Sequence, residues 1–170
     1  MNRSIEWLNE LSADAAETEF RKCCGSKAWA QKMAEARPFA NVESLLAKAD
    51  EIWWSLSEAD WLEAFHSHPK IGEQKAAVAQ SPQARNWSAQ EQSGVAGASA
   101  QTIDELTRRN REYEEHFGFI FIVCASGKSS EEMLGLLADR MSNDPEIELG
   151  VAAEEQRKIT RLRLEKLLTQ

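Results

Sequence analysis

Signals that start and stop helices recur along almost the whole chain, and they constrain its fold more than any other feature. Apolar residues return at helical spacing in segments that are interrupted at Gly25, at Arg37-Pro38 and at Gly118. The segments predicted as helices are 11–24, 26–36, 42–54, 57–65, one opening at Ser88, 100–117, 129–141 and 145–168. The sequence therefore predicts an all-α fold, an irregular bundle of about eight helices in a single domain spanning residues 1–170.

One stretch of the chain leaves this helical pattern. Residues 67–86 are interrupted by Pro69, Gly72 and Pro82, so we expect a loop there with one turn of helix at 74–80.

A second exception is Phe119-Ile-Phe-Ile-Val-Cys124, a continuous apolar run with β character. Six residues do not decide between a strand and a buried helix, and both interpretations stay open. No apolar run approaches the roughly 20 residues that span a bilayer, so we expect no membrane insertion.

Charge and cysteine content restrict the partners. A formal net charge of −8 argues against nucleic acid, which requires a basic surface, and favours a small ligand or a protein partner. The three cysteines lack zinc-site spacing and are expected to be reduced. Because the N-terminus lacks a leader pattern and Leu168-Thr-Gln170 is not a targeting tripeptide, we expect a cytoplasmic protein.

Two of the three histidines, His66 and His68, lie directly before Pro69. Residues two apart on a helix point in nearly opposite directions, so this pair does not chelate one metal ion from a continuous helix. Pro69 disfavours the α region for His68, which places that ring at the broken end of a helix. There it could cap the helix dipole, or it could transfer protons, since an unperturbed imidazole has a pKa of about 6.5.

Two further positions have both a structural and a binding interpretation. Ser88 and Glu91 have the spacing of a capping box, while Glu91 and Gln92 could also meet a ligand at a helix N-terminus.

Arg163 interrupts the apolar row of Ile159 and Leu167, so we expect it to be partly buried. Such a guanidinium requires an acidic partner or an anionic ligand.

Short motifs in register along nearly the whole chain resemble the OHCU decarboxylase family, which acts on 2-oxo-4-hydroxy-4-carboxy-5-ureidoimidazoline in the oxidation of urate to allantoin. The motifs are Cys24-Gly-Ser-Lys-Ala-Trp-Ala30 with Arg37-Pro-Phe39, His68-Pro-Lys-Ile-Gly72, Ser88-Ala-Gln-Glu-Gln92, Tyr113 with Phe117-Gly-Phe-Ile-Phe121, and Lys158-Ile-Thr-Arg-Leu-Arg-Leu164.

The resemblance implies a site and a chemistry. It places the family's catalytic histidine on His68, its Ser-x-x-Glu-Gln segment on Ser88 to Gln92 and its C-terminal arginine on Arg163. Our hypothesis is that His68, Glu91 and Arg163 are the catalytic residues, with His68 as general acid. The implied substrate-binding residues are Pro69, Ser88, Ala89, Gln90, Gln92, Phe121, Ile122, Val123, Cys124 and Ala125. The substrate supplies its own electron sink, so neither a cofactor nor a metal is expected. Members of the family are commonly homodimers, and we expect the same here.

Two other functions are compatible with the same residues. A metal-dependent hydrolase could use His66, His68 and a remote carboxylate, and metal analysis of pure protein would separate it from a decarboxylase. A non-catalytic helical module could instead bind a partner helix through exposed tryptophans. The candidates are Trp53, Trp54, Trp61 and Trp87.

Overall fold

The computed structural model describes residues 3–72 and 80–170, which form ten helices and contain no β-strand. The helices are α1 (Ile5–Glu10), α2 (Ala13–Cys23), α3 (Lys27–Glu35), α4 (Val42–Ser55), α5 (Glu58–His66), α6 (Pro82–Glu91), α7 (Ser93–Ala96), α8 (Ala100–Phe117), α9 (Ser130–Arg140) and α10 (Pro145–Leu168). The predicted all-α class is confirmed. The short helices α1 and α7 were not predicted, and the turn expected at 74–80 lies outside the described residues apart from Gln80.

Side-chain caps explain why the helices begin where they do. A serine or asparagine precedes each of seven helices and accepts a hydrogen bond from a backbone N–H three residues later, which satisfies an otherwise unpaired donor. These caps are Ser4, Ser12, Ser26, Asn41, Ser81, Ser99 and Ser129. At the other end of α8, Gly118 has a φ of +83°, a left-handed conformation that ends the helix. Most predicted helix ends are therefore correct to within one or two residues.

The prediction for α6 is wrong. This helix begins at Pro82, with Ser81 accepting a hydrogen bond from the amide of Ala84 at 3.1 Å. Ser88 and Glu91 therefore lie in the last turn and form no capping box. Serine followed by proline at the first helical position is itself a start signal, although the prolines and the glycine of residues 67–86 predicted a loop there.

The chain divides into two compact units. The first contains the residues up to Ala64 together with Arg157–Gln170, and the second contains Phe65–Gln156. The expectation of a single domain is left as a prediction.

In the first unit, α2, α3 and α4 pack in sequence around aromatic side chains. The rings of Phe20 and Trp29 meet edge to face at 5.9 Å, and Phe39 contacts Phe20 in the same way at 6.4 Å. The indole nitrogen of Trp29 donates to the carbonyl of Ala49 at 3.1 Å. The buried tryptophan thereby joins α3 to α4 without leaving its polar atom unpaired.

Arg37 binds the C-terminal end of α1. Its Nη1 donates to the carbonyls of Leu8 and Leu11 at 2.9 and 2.6 Å. Asn9 makes reciprocal hydrogen bonds with the backbone of Phe39, at 2.8 and 2.9 Å. These contacts stabilise the loop that follows α3.

In the second unit, an irregular segment, Phe119–Ala125, forms part of the core. All seven residues are buried, and Phe119 and Phe121 contact the ring of Tyr113. Arg140 Nη1 donates to the carbonyl of Ile122 at 2.7 Å. The segment is therefore neither the strand nor the buried helix that the sequence left open. It can be irregular and buried because side chains satisfy backbone groups that a sheet or a helix would otherwise pair.

None of the helices in residues 3–72 and 80–170 combines the length and the apolar character that crossing a membrane requires.

Candidate active site

His68 lies two residues beyond the end of α5, at the point where Pro69 prevents the helix from continuing. Its backbone N–H donates to the carbonyl of Phe65 at 3.1 Å. Its ring Nε2 is 2.6 Å from Oε1 of Gln156 on α10. His68 is 8% exposed and Gln156 is completely buried. The ring is therefore held inside the second unit by a neutral amide.

The loop that follows His68 is anchored in the same unit by Gln92, the residue after α6, and by α8. The Gly72 N–H donates to Oε1 of Gln92 at 3.1 Å, and Gly72 has a φ of +86°, which favours glycine. Asn110 on α8 donates to the carbonyl of Ile71 at 3.2 Å. The Gly72–Gln92 contact joins the His68 loop to the Ser88–Gln92 segment.

The Ser88–Gln92 segment presents different residues to the interior and to solvent. Ser88 and Glu91 are buried, whereas Ala89 and Gln90 are exposed. The Ser88 hydroxyl accepts a hydrogen bond from Nε2 of Gln80 at 3.3 Å. Among the predicted substrate contacts on α6, Ser88 and Glu91 are therefore the two that point into the unit.

The predicted ligand-binding backbone, Phe121–Ala125, is connected to α10 at Cys124. The Cys124 N–H donates to Oε1 of Glu155 at 3.2 Å, and its carbonyl accepts from Nζ of Lys128 at 2.7 Å. Burial raises the pKa of the Cys124 thiol, Lys128 opposes this, and the carboxylates of Glu155 and Glu91 add to it. Glu91 is thus one of the carboxylates whose charge acts on the Cys124 thiol.

Glu155 and Gln156, which connect these segments, were not predicted as site residues. Glu155 is four residues before Ile159, so it belongs to the same helical row as Ile159, Arg163 and Leu167. Extending that row by one turn would have found it. Gln156 has no comparable signal, because a single glutamine on a helix is usually a surface residue.

Arg163 lies in the first unit. It is 2% exposed, more deeply buried than predicted, and its Nη1 donates to the carbonyl of Lys22 at 3.5 Å. Burial raises the pKa of both Cys23 and Cys24, and the positive charge of Arg163 acts against that rise. The structure thus places His68 and Glu91 in one unit and Arg163 in the other.

The structure also describes the features on which the two alternative functions depend, namely metal-ligand groups and exposed tryptophans. Within the part of the chain that the structure describes, no group of three or more His, Cys, Asp or Glu side chains could hold a metal ion. Trp53 and Trp87 are buried, Trp61 is intermediate and Trp54 is 45% exposed. Two of the four tryptophans are therefore core residues.

A buried histidine, oriented by an amide and joined through its loop to a carboxylate-bearing helix end, is typical of an enzyme that performs acid–base chemistry on a small molecule. Residues 9–165 match the family model described as OHCU decarboxylase, and the chain belongs to that family.

Comparison with individual proteins agrees. The chain is 39% identical over 160 residues to the uric acid degradation bifunctional protein TTL of Arabidopsis thaliana, covering 94% of this chain and 49% of that protein. It is 35% identical to the 2-oxo-4-hydroxy-4-carboxy-5-ureidoimidazoline decarboxylase of Amia calva, over 78% of this chain and 75% of the relative. A crystal structure of OHCU decarboxylase in the presence of (S)-allantoin superposes with a TM-score of 0.76 at 39% identity, covering 88% of this chain and 96% of that one.

Proposed function

We propose that this protein decarboxylates 2-oxo-4-hydroxy-4-carboxy-5-ureidoimidazoline to (S)-allantoin in urate degradation. Support comes from the family match over residues 9–165 and from a similar structure solved in the presence of (S)-allantoin. The single observation that carries the chemistry is the buried His68 ring, held at 2.6 Å by Gln156.

The substrate itself accepts the electrons that decarboxylation releases. Its carboxylate is on a carbon that bears a hydroxyl and adjoins a carbon–nitrogen double bond. When the carbon–carbon bond breaks, its electron pair enters that conjugated system and gives an enol-like intermediate. The protein then has to orient the carboxylate for departure and to deliver a proton to the neighbouring carbon from one face.

His68 is the proposed proton donor. Its imidazolium would transfer a proton to the ring carbon of the intermediate, which sets the (S) configuration, while the hydroxyl proton moves to the ring nitrogen that took up the electron pair and the carbonyl group of allantoin forms. The imidazole would regain a proton from solvent after product release. A buried ring in one orientation suits this task, because proton delivery from a single direction determines the stereochemistry.

Glu91 and Gln92 are proposed to position the substrate, with Ser88. The Glu91 carboxylate would accept a hydrogen bond from the substrate hydroxyl. Gln92 accepts from Gly72 through its Oε1, so its amide nitrogen is the end that can donate to a ligand carbonyl.

The Phe121–Ala125 backbone is proposed to bind the ureido arm. The carbonyls of Ile122 and Cys124 and the amide of Cys124 already have partners within the protein. A ligand would therefore use the amides of Ile122 and Val123 or second lone pairs of the carbonyls. Ala89 and Gln90 are exposed and are assigned no direct contact.

Arg163 is proposed to anchor the anionic edge of the substrate, as the family resemblance implies. A buried guanidinium is always charged and suits bidentate binding of a carboxylate.

The direct test generates the unstable substrate in place from urate with the upstream enzymes and follows the circular dichroism of allantoin. With the protein present, we expect an (S)-allantoin signal that rises faster than spontaneous decay and in proportion to protein concentration. A rate equal to spontaneous decay would refute the proposed function.

We also propose that the protein is a cytoplasmic homodimer. The support is the family resemblance. Sedimentation velocity of the purified protein tests the dimer, and fractionation of cells tests the location.

A further inference from the structure

The contact between His68 and Gln156 determines more than the position of the ring. An amide oxygen carries no hydrogen and can only accept a hydrogen bond. Because Oε1 of Gln156 lies 2.6 Å from His68 Nε2, that ring nitrogen must carry the proton. A neutral imidazole has one N–H, so its second nitrogen, Nδ1, then holds the lone pair.

We propose that Gln156 is a positioning residue that keeps His68 protonated on Nε2, so that Nδ1 is the nitrogen that gives and takes the proton in the reaction. The role of Nδ1 in turnover rests on the proposed decarboxylase function. The tautomer itself does not, because it is a property of the free protein.

The surroundings of Gln156 suit an orienting role. Its side chain is completely buried within a helix of 24 residues, so few conformations are open to it. The preceding residue, Glu155, binds the backbone amide of Cys124 at 3.2 Å. One turn of α10 thus holds both the histidine ring and the backbone segment assigned to the ureido arm.

A glutamine also differs from the carboxylate that often orients a catalytic histidine. A carboxylate next to an imidazole stabilises the charged ring and raises its pKa. An amide fixes the same tautomer without a full negative charge. The ring can then lose its proton more readily than it could beside a carboxylate, which suits a group that donates its proton in the reaction.

The test of the tautomer uses nitrogen-15 NMR of the histidine side chains in the wild-type protein, from about pH 6 to about pH 9, around the ordinary histidine pKa. The sequence contains three histidines, and His68→Asn identifies the signals of His68 by their loss. We expect the neutral His68 ring to carry its proton on Nε2. A neutral ring protonated on Nδ1, or divided equally between the two nitrogens, would overturn the inference.

Variants of Gln156 test the consequence for turnover. Gln156→Met keeps the length and removes the acceptor, and we expect the His68 tautomer signature to be lost and kcat to fall roughly 10- to 100-fold, as for a misplaced catalytic group. Gln156→Glu keeps an acceptor and should retain the Nε2 tautomer, while moving the His68 titration to higher pH. Thr160→Val, a buried polar substitution one turn further along α10, should leave the tautomer unchanged.

The results separate the two proposals. If the Nε2 tautomer is present but the substrate decays at its spontaneous rate, the positioning role stands and the proposed function fails. If turnover is normal in a folded Gln156→Met protein, the positioning role fails and the decarboxylase function stands.

Discussion

The second unit contains two buried polar clusters that differ in how their charges are satisfied. In the charge cluster, formed by Arg140, Glu148, Tyr113 and Asn143, opposite charges meet directly: Nε of Arg140 donates to Glu148 at 2.6 Å and Asn143 donates to the same carboxylate at 2.9 Å. The Tyr113 hydroxyl also donates to Glu148, and burial raises the pKa of Tyr113. This cluster is a closed arrangement that suits a structural role.

The histidine cluster, formed by His68, Gln156, Glu155, Cys124 and Glu91, is built differently. In one hydrogen bond, the titratable ring of His68 meets the neutral amide of Gln156. In the other, the Glu155 carboxylate accepts from the backbone N–H of Cys124. Burial is similar in both clusters, so burial alone does not identify the site. What distinguishes them is the kind of partner that each hydrogen bond shows: opposite charges meet in the first cluster, whereas a neutral amide and a backbone N–H bind the titratable groups of the second.

The largest expected effect is a loss of unfolding free energy when the charge cluster is broken. Arg140→Met leaves the Glu148 carboxylate buried without its guanidinium, and we expect a loss of about 3–5 kcal/mol in the free energy of unfolding, measured with urea. The matched control is the double variant Arg140→Met/Glu148→Leu, which removes both charges and should recover much of that loss. A double variant no more stable than the single one would show that the pair is not a closed charge unit.

The second prediction concerns turnover in the histidine cluster. His68→Asn should lower the rate of (S)-allantoin formation at least ~100-fold, the usual scale for a positioned proton donor, because no imidazole remains to protonate the intermediate. Circular dichroism in the far ultraviolet checks that the variant is folded. His66→Asn is the control, since the family resemblance assigns His66 no role, and it should keep most of its activity. A folded His68→Asn enzyme with the wild-type rate would remove His68 from the mechanism.

A third prediction tests whether the histidine cluster depends on close backbone packing. A Cβ at Gly94 would collide with the backbone oxygen of Lys128, so Gly94→Ala must displace either α7 or the turn after Ala125. We expect a loss of about 1–3 kcal/mol in unfolding free energy, the range for overpacking, together with a higher KM. Gly97→Ala is the control, because a Cβ there meets nothing within 4 Å. Equal losses of unfolding free energy in Gly94→Ala and Gly97→Ala would contradict the close approach of Gly94 to the Lys128 backbone.

The smallest expected effect is a dependence of stability on pH. Burial raises the pKa of Cys124 above its usual value of 9.0, so the thiol stays protonated in the folded state at a pH where the unfolded chain loses that proton. The stabilising contribution is complete below the usual pKa and is lost as the pH rises toward the folded value. Between about pH 8 and about pH 10, Cys124→Ala should therefore lose less stability than the wild type in urea titrations. Val123→Ala removes two methyl groups from the same segment but leaves the thiol in place. It should keep the wild-type dependence of unfolding free energy on pH.

The helices were predictable because their signals are local. As predicted from the sequence, Asn41 caps α4 by accepting a hydrogen bond from the amide of Ser44 at 2.8 Å, and Gly118 ends α8. The start of α6 was missed although its signal, serine followed by proline, is equally local. That error moved Ser88 and Glu91 from the last turn of a helix to its beginning.

The candidate site was predictable only in part. His68 and Arg163 stand out as polar residues next to a proline or within an apolar row, and Glu155 could have been found by the same counting. The family resemblance then supplied the roles. The pairings of His68 with Gln156 and of Arg140 with Glu148 have no counterpart in periodicity, so they could not be predicted.

By itself, the sequence determined the all-α class, most helix ends and the break at His68-Pro69, because each depends on hydrogen bonds or steric contacts within about four residues. Only the tertiary structure decided which partners meet. His68 and Gln156 are 88 residues apart, and Glu155 and Cys124 are 31 apart. Contacts at such separations form only when whole helices pack, and the packing of side chains into a dense interior selects one partner among many that the local pattern allows.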